Sequence, residues 1–169
     1  FTGVAVNTIP VCWTRTHNNW SVQSSSSAGG TSPEIRLYWA PSFTDLSMLQ
    51  SPVFNTVGKT VLLLEFKHYL SHYATPYTVG IKTSSDGITW NTVWEVSPLA
   101  NIAAETKEVI INNSDVGSPT FQFAFFFDGN IYNINNWNID DVTLFAPEYG
   151  TLSGYVTEVT RGVIEGARV

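Results

Sequence analysis

At 169 residues, with 43% hydrophobic, 14% aromatic and 13% charged side chains, the chain has the length of about one domain with room for a core, and not the composition of a disordered tail. A net charge of −6 with eight scattered basic residues excludes nucleic acid as a partner, because phosphate binding needs clustered Lys and Arg. No apolar run approaches the ~18 residues of a membrane span, so no membrane insertion is expected, and a lone cysteine leaves the fold to stand on its core.

Cys12, between Val11 and Trp13, reads as a small buried hydrophobe. Residues 24–27 are four serines, a low-complexity loop, and residues 43–49 read as a short helical turn. From there the period is that of strands. In 61–70, Leu62, Leu64, Phe66, His68 and Leu70 fall on one face and Glu65, Lys67 and Tyr69 on the other. Residues 77–83 and 89–96 form a hairpin about Asp86-Gly87. A helical turn is expected over 99–104, then strands at 105–111, 120–127 and 138–145. The segment 120–127 places Phe121, Phe123, Phe125 and Phe127 on one face, a core strand. Short strands at regular spacing predict an all-β fold, a two-sheet antiparallel β-sandwich of the jelly-roll kind. The acidic excess lies wholly before Tyr149, which sets the boundary between a complete domain over 1–147 and a second segment, 148–169, that reads as the start of another β domain or a linker.

Few residues carry chemistry. His68 and His72 have the spacing of a helical metal pair, but on a strand four residues span roughly 13 Å, too far to share one ion. No Gly-x-Ser-x-Gly elbow is present, and no carboxylate pair stands out for glycoside hydrolysis. The acidic site of interest is Trp137-Asn-Ile-Asp140-Asp141-Val-Thr-Leu144. Trp137 and Ile139 share one strand phase and Val142 and Leu144 the other, so the alternation slips at Asp140-Asp141, which predicts a bulge. There Asp140 and Asp141 either present hard oxygens to a structural Ca²⁺ or hydrogen-bond backbone amides across the bulge. The loop Asn130-Ile-Tyr132-Asn133-Ile-Asn135-Asn-Trp137 combines an aromatic ring with amides that both donate and accept, so Tyr132, Asn133 and Asn135 are the candidate ligand-binding residues.

Residues 1–147 resemble the MAM-like jelly-roll domain of the cleaved-adhesin type, found in large secreted bacterial surface proteins. The resemblance rests on Ile9-Pro10-Val-Cys-Trp13 with Trp20, Leu49-Gln-Ser-Pro52-Val-Phe54 before Leu62-Leu-Leu-Glu-Phe66, Ser84-Ser-Asp-Gly-Ile-Thr-Trp90 and the closing Trp137–Leu144 segment. Within 148–169, Leu152-Ser-Gly154 and Ile164-Glu-Gly166 are similar to the opening of a carboxypeptidase-regulatory-like sandwich. The resemblance implies a galactose-binding-like sandwich that works as a non-catalytic binding or adhesion module, extracellular or on the cell surface. It further implies structural Ca²⁺ held through Asp141 with Asp140. The expected partner is a carbohydrate or a protein surface, beside neighbouring domains of the same chain. The competing expectations are a spacer that binds nothing and the accessory module of a secreted hydrolase.

Overall fold

Uninterrupted alternation of large apolar and polar side chains makes the long inner strand Leu62–His72, whose residues switch between buried and half-buried along most of its length. A computed structural model describes residues 1–147 and, beyond them, Thr157–Glu158 and Gly162–Val163. The strands of the described sandwich are β1 (Thr14–Arg15), β2 (Trp20–Gln23), β3 (Glu34–Tyr38), β4 (Thr44–Gln50), β5 (Leu62–His72), β6 (Tyr77–Ser84), β7 (Asn91–Val96), β8 (Ile102–Ile111), β9 (Gln122–Asn130) and β10 (Ile134–Phe145). They form two antiparallel sheets of five, ordered β1-β4-β9-β6-β7 and β2-β3-β10-β5-β8. The fold is the expected two-sheet β-sandwich.

Strand β9 is central because its odd-numbered phenylalanines face inward. Phe125 stands between Leu49 of β4 and Ile81 of β6 and meets Phe66 of the opposite sheet edge to face at 5.0 Å and Trp137 at 6.0 Å. Each such ring buries roughly 150–250 Å², and truncating one costs about 3–5 kcal/mol. Trp20 crosses the interior from β2 to donate its indole N–H to Ser47 Oγ at 3.0 Å. Phe126, on the other face of β9, is also buried, against Met48, Leu46 and Trp90.

Three expectations need correction. Residues 43–49 are not helical but supply β4, whose register Leu46↔Asp128 and Met48↔Phe126 shows that pairing with an aromatic-rich partner overrides a local helix-like spacing. Residues 99–104 likewise lead into β8, tied to β5 through Leu70↔Ile102. Cys12 is exposed, at a positive φ of 67°, because its neighbour Trp13 takes the core-facing position, stacked on Phe125. Of the segment 148–169, the described part is a short ladder, Thr157↔Val163 and Glu158↔Gly162; the rest of the expected second domain lies outside the described residues. No helix among the described residues is long and apolar enough to cross a membrane.

Candidate functional site

Three loops meet at one end of the sandwich: the one following β3, the β5–β6 loop, and the 3₁₀ turn Ile131–Asn133 between β9 and β10. Ile131 is fully buried and anchors the turn, while Asn130 caps it by accepting the Tyr132 N–H on its side chain at 3.0 Å. This leaves Tyr132 half exposed. Asn133 is spent on architecture. Its carbonyl accepts the N–H groups of Tyr73 and Ala74, and its amide donates to the Pro76 carbonyl at 3.0 Å. Asn19 holds the third loop by donating to the carbonyls of Tyr38 and Pro41.

The result is an aromatic cluster. Tyr132 meets Trp39 at 5.6 Å and Tyr73 at 5.4 Å, both edge to face. With Ile134 and Asn135 these rings line a shallow hollow of about 160 Å³, and the Asn135 amide donates to Ser71 Oγ at 3.0 Å. Of the three candidate residues in this loop, Tyr132 and Asn135 line the hollow and Asn133 does not. A larger depression of about 340 Å³ flanks the same β5–β6 loop, lined by Pro76, Pro98, Leu99, Asp128 and Gly129 among others. Its one aromatic neighbour, Tyr77, is buried at 3% exposure, so it offers no free ring face.

The phase slip in β10 is a bulge. Pairing with β5 jumps from Asp140↔Lys67 to Thr143↔Glu65, and Asp141 sits at φ 47°. The bulge sends the two carboxylates to different surroundings. Asp141 is exposed and ion-paired to Lys67 Nζ at 2.8 Å, which holds the lysine above its ordinary range, mainly through that hydrogen bond. Asp140 is fully buried, neither of its carboxylate oxygens has a hydrogen-bond partner, and burial pushes its carboxyl upward. The Phe1 backbone nitrogen lies 3.6 Å from Asp140 Oδ1.

What covers Asp140 is the serine- and glycine-rich loop between β2 and β3. Gly30 packs so closely that a Cβ there would overlap the Asp140 carboxylate, and a Cβ on Gly29 would come into contact with Ala104 on β8. The loop is pinned by buried Glu34, which accepts the N–H groups of Ser27 and Ala28 at 2.8 and 2.7 Å and the Asn138 amide at 2.6 Å. Asn138 Oδ1 is buried without a partner. Among the described residues no group of three or more His, Cys, Asp and Glu side chains gathers at one point, so a cation here would draw on mixed carboxylate, amide and backbone oxygens. Sequence reasoning missed Trp39, Tyr73, Glu34, Asn138 and the covering loop. The available signals were aromatic residues in the proline-bearing segments Trp39-Ala-Pro41 and Tyr73-Ala-Thr-Pro76.

His68 and His72 do not meet. His68 bonds Trp137 and Glu105, whereas His72 Nδ1 is 2.9 Å from the Tyr77 hydroxyl.

No protein-family model matches the chain, and no curated protein matches it significantly. Solved structures do. The chain is similar to the K1 cleaved adhesin domain of Lys-gingipain from Porphyromonas gingivalis W83, at 14% identity and TM-score 0.57, covering 83% of this chain and 94% of that one. It is also similar to TmCBM61, solved with β-1,4-galactotriose, at 19% identity and TM-score 0.55, covering 81% and 90%. A third similarity is to the CBM22-1-GH10 modules of Clostridium thermocellum xylanase 10B with xylohexaose, at 9% identity and TM-score 0.51, covering 85% of this chain and 27% of that one. The chain has the jelly-roll fold of cleaved-adhesin domains. At these identities the likeness establishes the fold alone.

Proposed function

We propose that this chain is a non-catalytic, extracellular binding module that takes up carbohydrate at the aromatic tip and uses Ca²⁺ as a structural cofactor. The observation that carries the reading is the Trp39–Tyr132–Tyr73 cluster beside Asn135. Aromatic rings offer apolar surface for the C–H faces of a sugar, and an amide offers donor and acceptor to its hydroxyls. Carbohydrate-bound relatives of the same fold support the reading by analogy. The hollow has no acidic residue in its lining, so it lacks the carboxylate pair of a glycosidase.

The residues beneath the β2–β3 loop suit a hard cation. Asp140 supplies two buried oxygens and Asn138 one, none with a hydrogen-bond partner, the Phe1 nitrogen standing 3.6 Å from Asp140 Oδ1, and oxygen donors are what Ca²⁺ takes. Asp141 is left out of the set because Lys67 already holds its carboxylate. Bound there, the ion would neutralise Asp140 and tie the loop to β10.

A glycan array probed with wild type and Tyr132→Ala tests the sugar reading. The expected result is a defined set of glycans bound by wild type and lost in the variant at unchanged melting temperature. No glycan bound by wild type overturns it and leaves the spacer role.

A further inference from the structure

The aromatic cluster continues beyond Trp39. The Tyr38 ring lies 5.5 Å from that of Trp39, and the Arg36 guanidinium carbon sits 4.6 Å above the Tyr38 ring. Arg36 and Tyr38 are alternate residues of β3 and share its outer face, opposite Asn138 and Asn136 of β10. The rings of Tyr38, Trp39, Tyr132 and Tyr73 therefore succeed one another at 5.4–5.6 Å. They form a strip that runs from the solvent face of the sheet over its rim to the tip, with a cation at its far end.

That cation has no ion-pair partner among the described residues. Across the sheet Arg36 is flanked by Ser21 on β2 and Asn138 on β10, with Tyr69 of β5 beyond. The next row toward the tip is Tyr38, Asn136 and Ser71, also uncharged. Glu34, two residues before Arg36, is engaged by Ser27, Ala28 and Asn138. Among the described residues Arg36 makes no ion pair, and its buried Nε has no hydrogen-bond partner. A planar guanidinium held over a ring presents a fork of donors that matches a carboxylate or sulfate. We infer that the ligand is an acidic glycan, a chain carrying carboxylate or sulfate groups, lying along this strip with an anionic group on Arg36. This rests on the carbohydrate reading above and names the class of sugar within it.

Calorimetry with oligogalacturonides, chondroitin sulfate oligosaccharides and neutral β-1,4-galacto-oligosaccharides of matched lengths tests the inference. The acidic chains are expected to bind more tightly, with affinity that rises with chain length and falls with added salt. Arg36→Gln is expected to weaken acidic binding by about tenfold or more and to abolish the preference for acidic over neutral chains. The salt dependence is read on wild type, so it stands even if the variant folds poorly. Neutral chains binding as tightly as acidic ones, without salt dependence, would overturn the acidic specificity while the carbohydrate reading survives. Binding of no glycan of either kind, here and on the array, would overturn both.

Discussion

Trp137 donates its indole N–H to Nδ1 of His68 at 3.2 Å, deep in the core. That bond fixes the tautomer: Nδ1 must accept, so Nε2 carries the proton and donates to Glu105 at 3.1 Å. Burial holds His68 below its ordinary value of 6.5, against the opposing pull of Glu105. A second proton would also set two N–H groups against each other. The sign follows from linkage: the unfolded chain binds the proton more readily, so stability is lost as pH falls below about 6.5 and levels off once the folded value is passed. His68→Gln, which keeps an acceptor, is expected to flatten that part of the melting profile. An equally steep profile in the variant would reject His68 as its source.

Asp140 and Asp141 are expected to behave oppositely on substitution. Excess Ca²⁺ over chelator should raise the wild-type melting temperature by mass action. Asp140→Asn should abolish that rise while being well tolerated in chelator, since it removes a charge that burial penalises. Asp141→Asn should retain the rise and cost at most about 1 kcal/mol, the range of an exposed ion pair. Identical melting with Ca²⁺ and chelator in wild type would dismiss the metal.

The three tip residues also separate. Tyr132→Ala should weaken glycan binding by roughly tenfold or more, the cost of removing an aromatic anchor, with little change in melting. Asn133→Ala should instead cost stability, on the order of 1 kcal/mol for the lost bond to Pro76. Titrations of both variants against one array-selected glycan, beside thermal melts, check the contrast.

Gly80 is the tightest glycine of the sheet. Val93 is bulged out of the β6–β7 ladder between Ile81↔Trp94 and Lys82↔Thr92, and this brings the Trp94 carbonyl and the Phe126 ring onto Gly80, where a Cβ would overlap both. Gly80→Ala should destabilise by about 1–3 kcal/mol, as overpacking does. A denaturant melt with an unchanged midpoint would show that β7 simply moves away.

The strands that packing dictates were legible from the chain because each carries its own alternation: Leu62 to Leu70, or Phe121 to Phe127. The phase slip at Asp140-Asp141 announced the bulge by the same logic. The first sixty residues hid β2, β3 and β4 because Trp20–Gln23 and Glu34–Tyr38 are short and become strands only against β10 and each other. The tip was half legible for a similar reason. Tyr132 stands out within one loop, but Trp39 and Tyr73 join it through hydrogen bonds of Asn19 and Asn133 that link residues far apart in sequence. Which aspartate would be sealed and which exposed depended on a loop more than a hundred residues away.

That loop has a dynamic consequence. It leaves β2 at one margin of its sheet and passes over Asp140, with Gly29 facing Ala104 of β8 across a shallow depression at the other. Here uncovering Asp140 means releasing the loop from Glu34, so the backbone amides of Ser27 and Ala28, both held by that carboxylate, should exchange with solvent deuterium in concert, and any ion beneath the loop would slow both together.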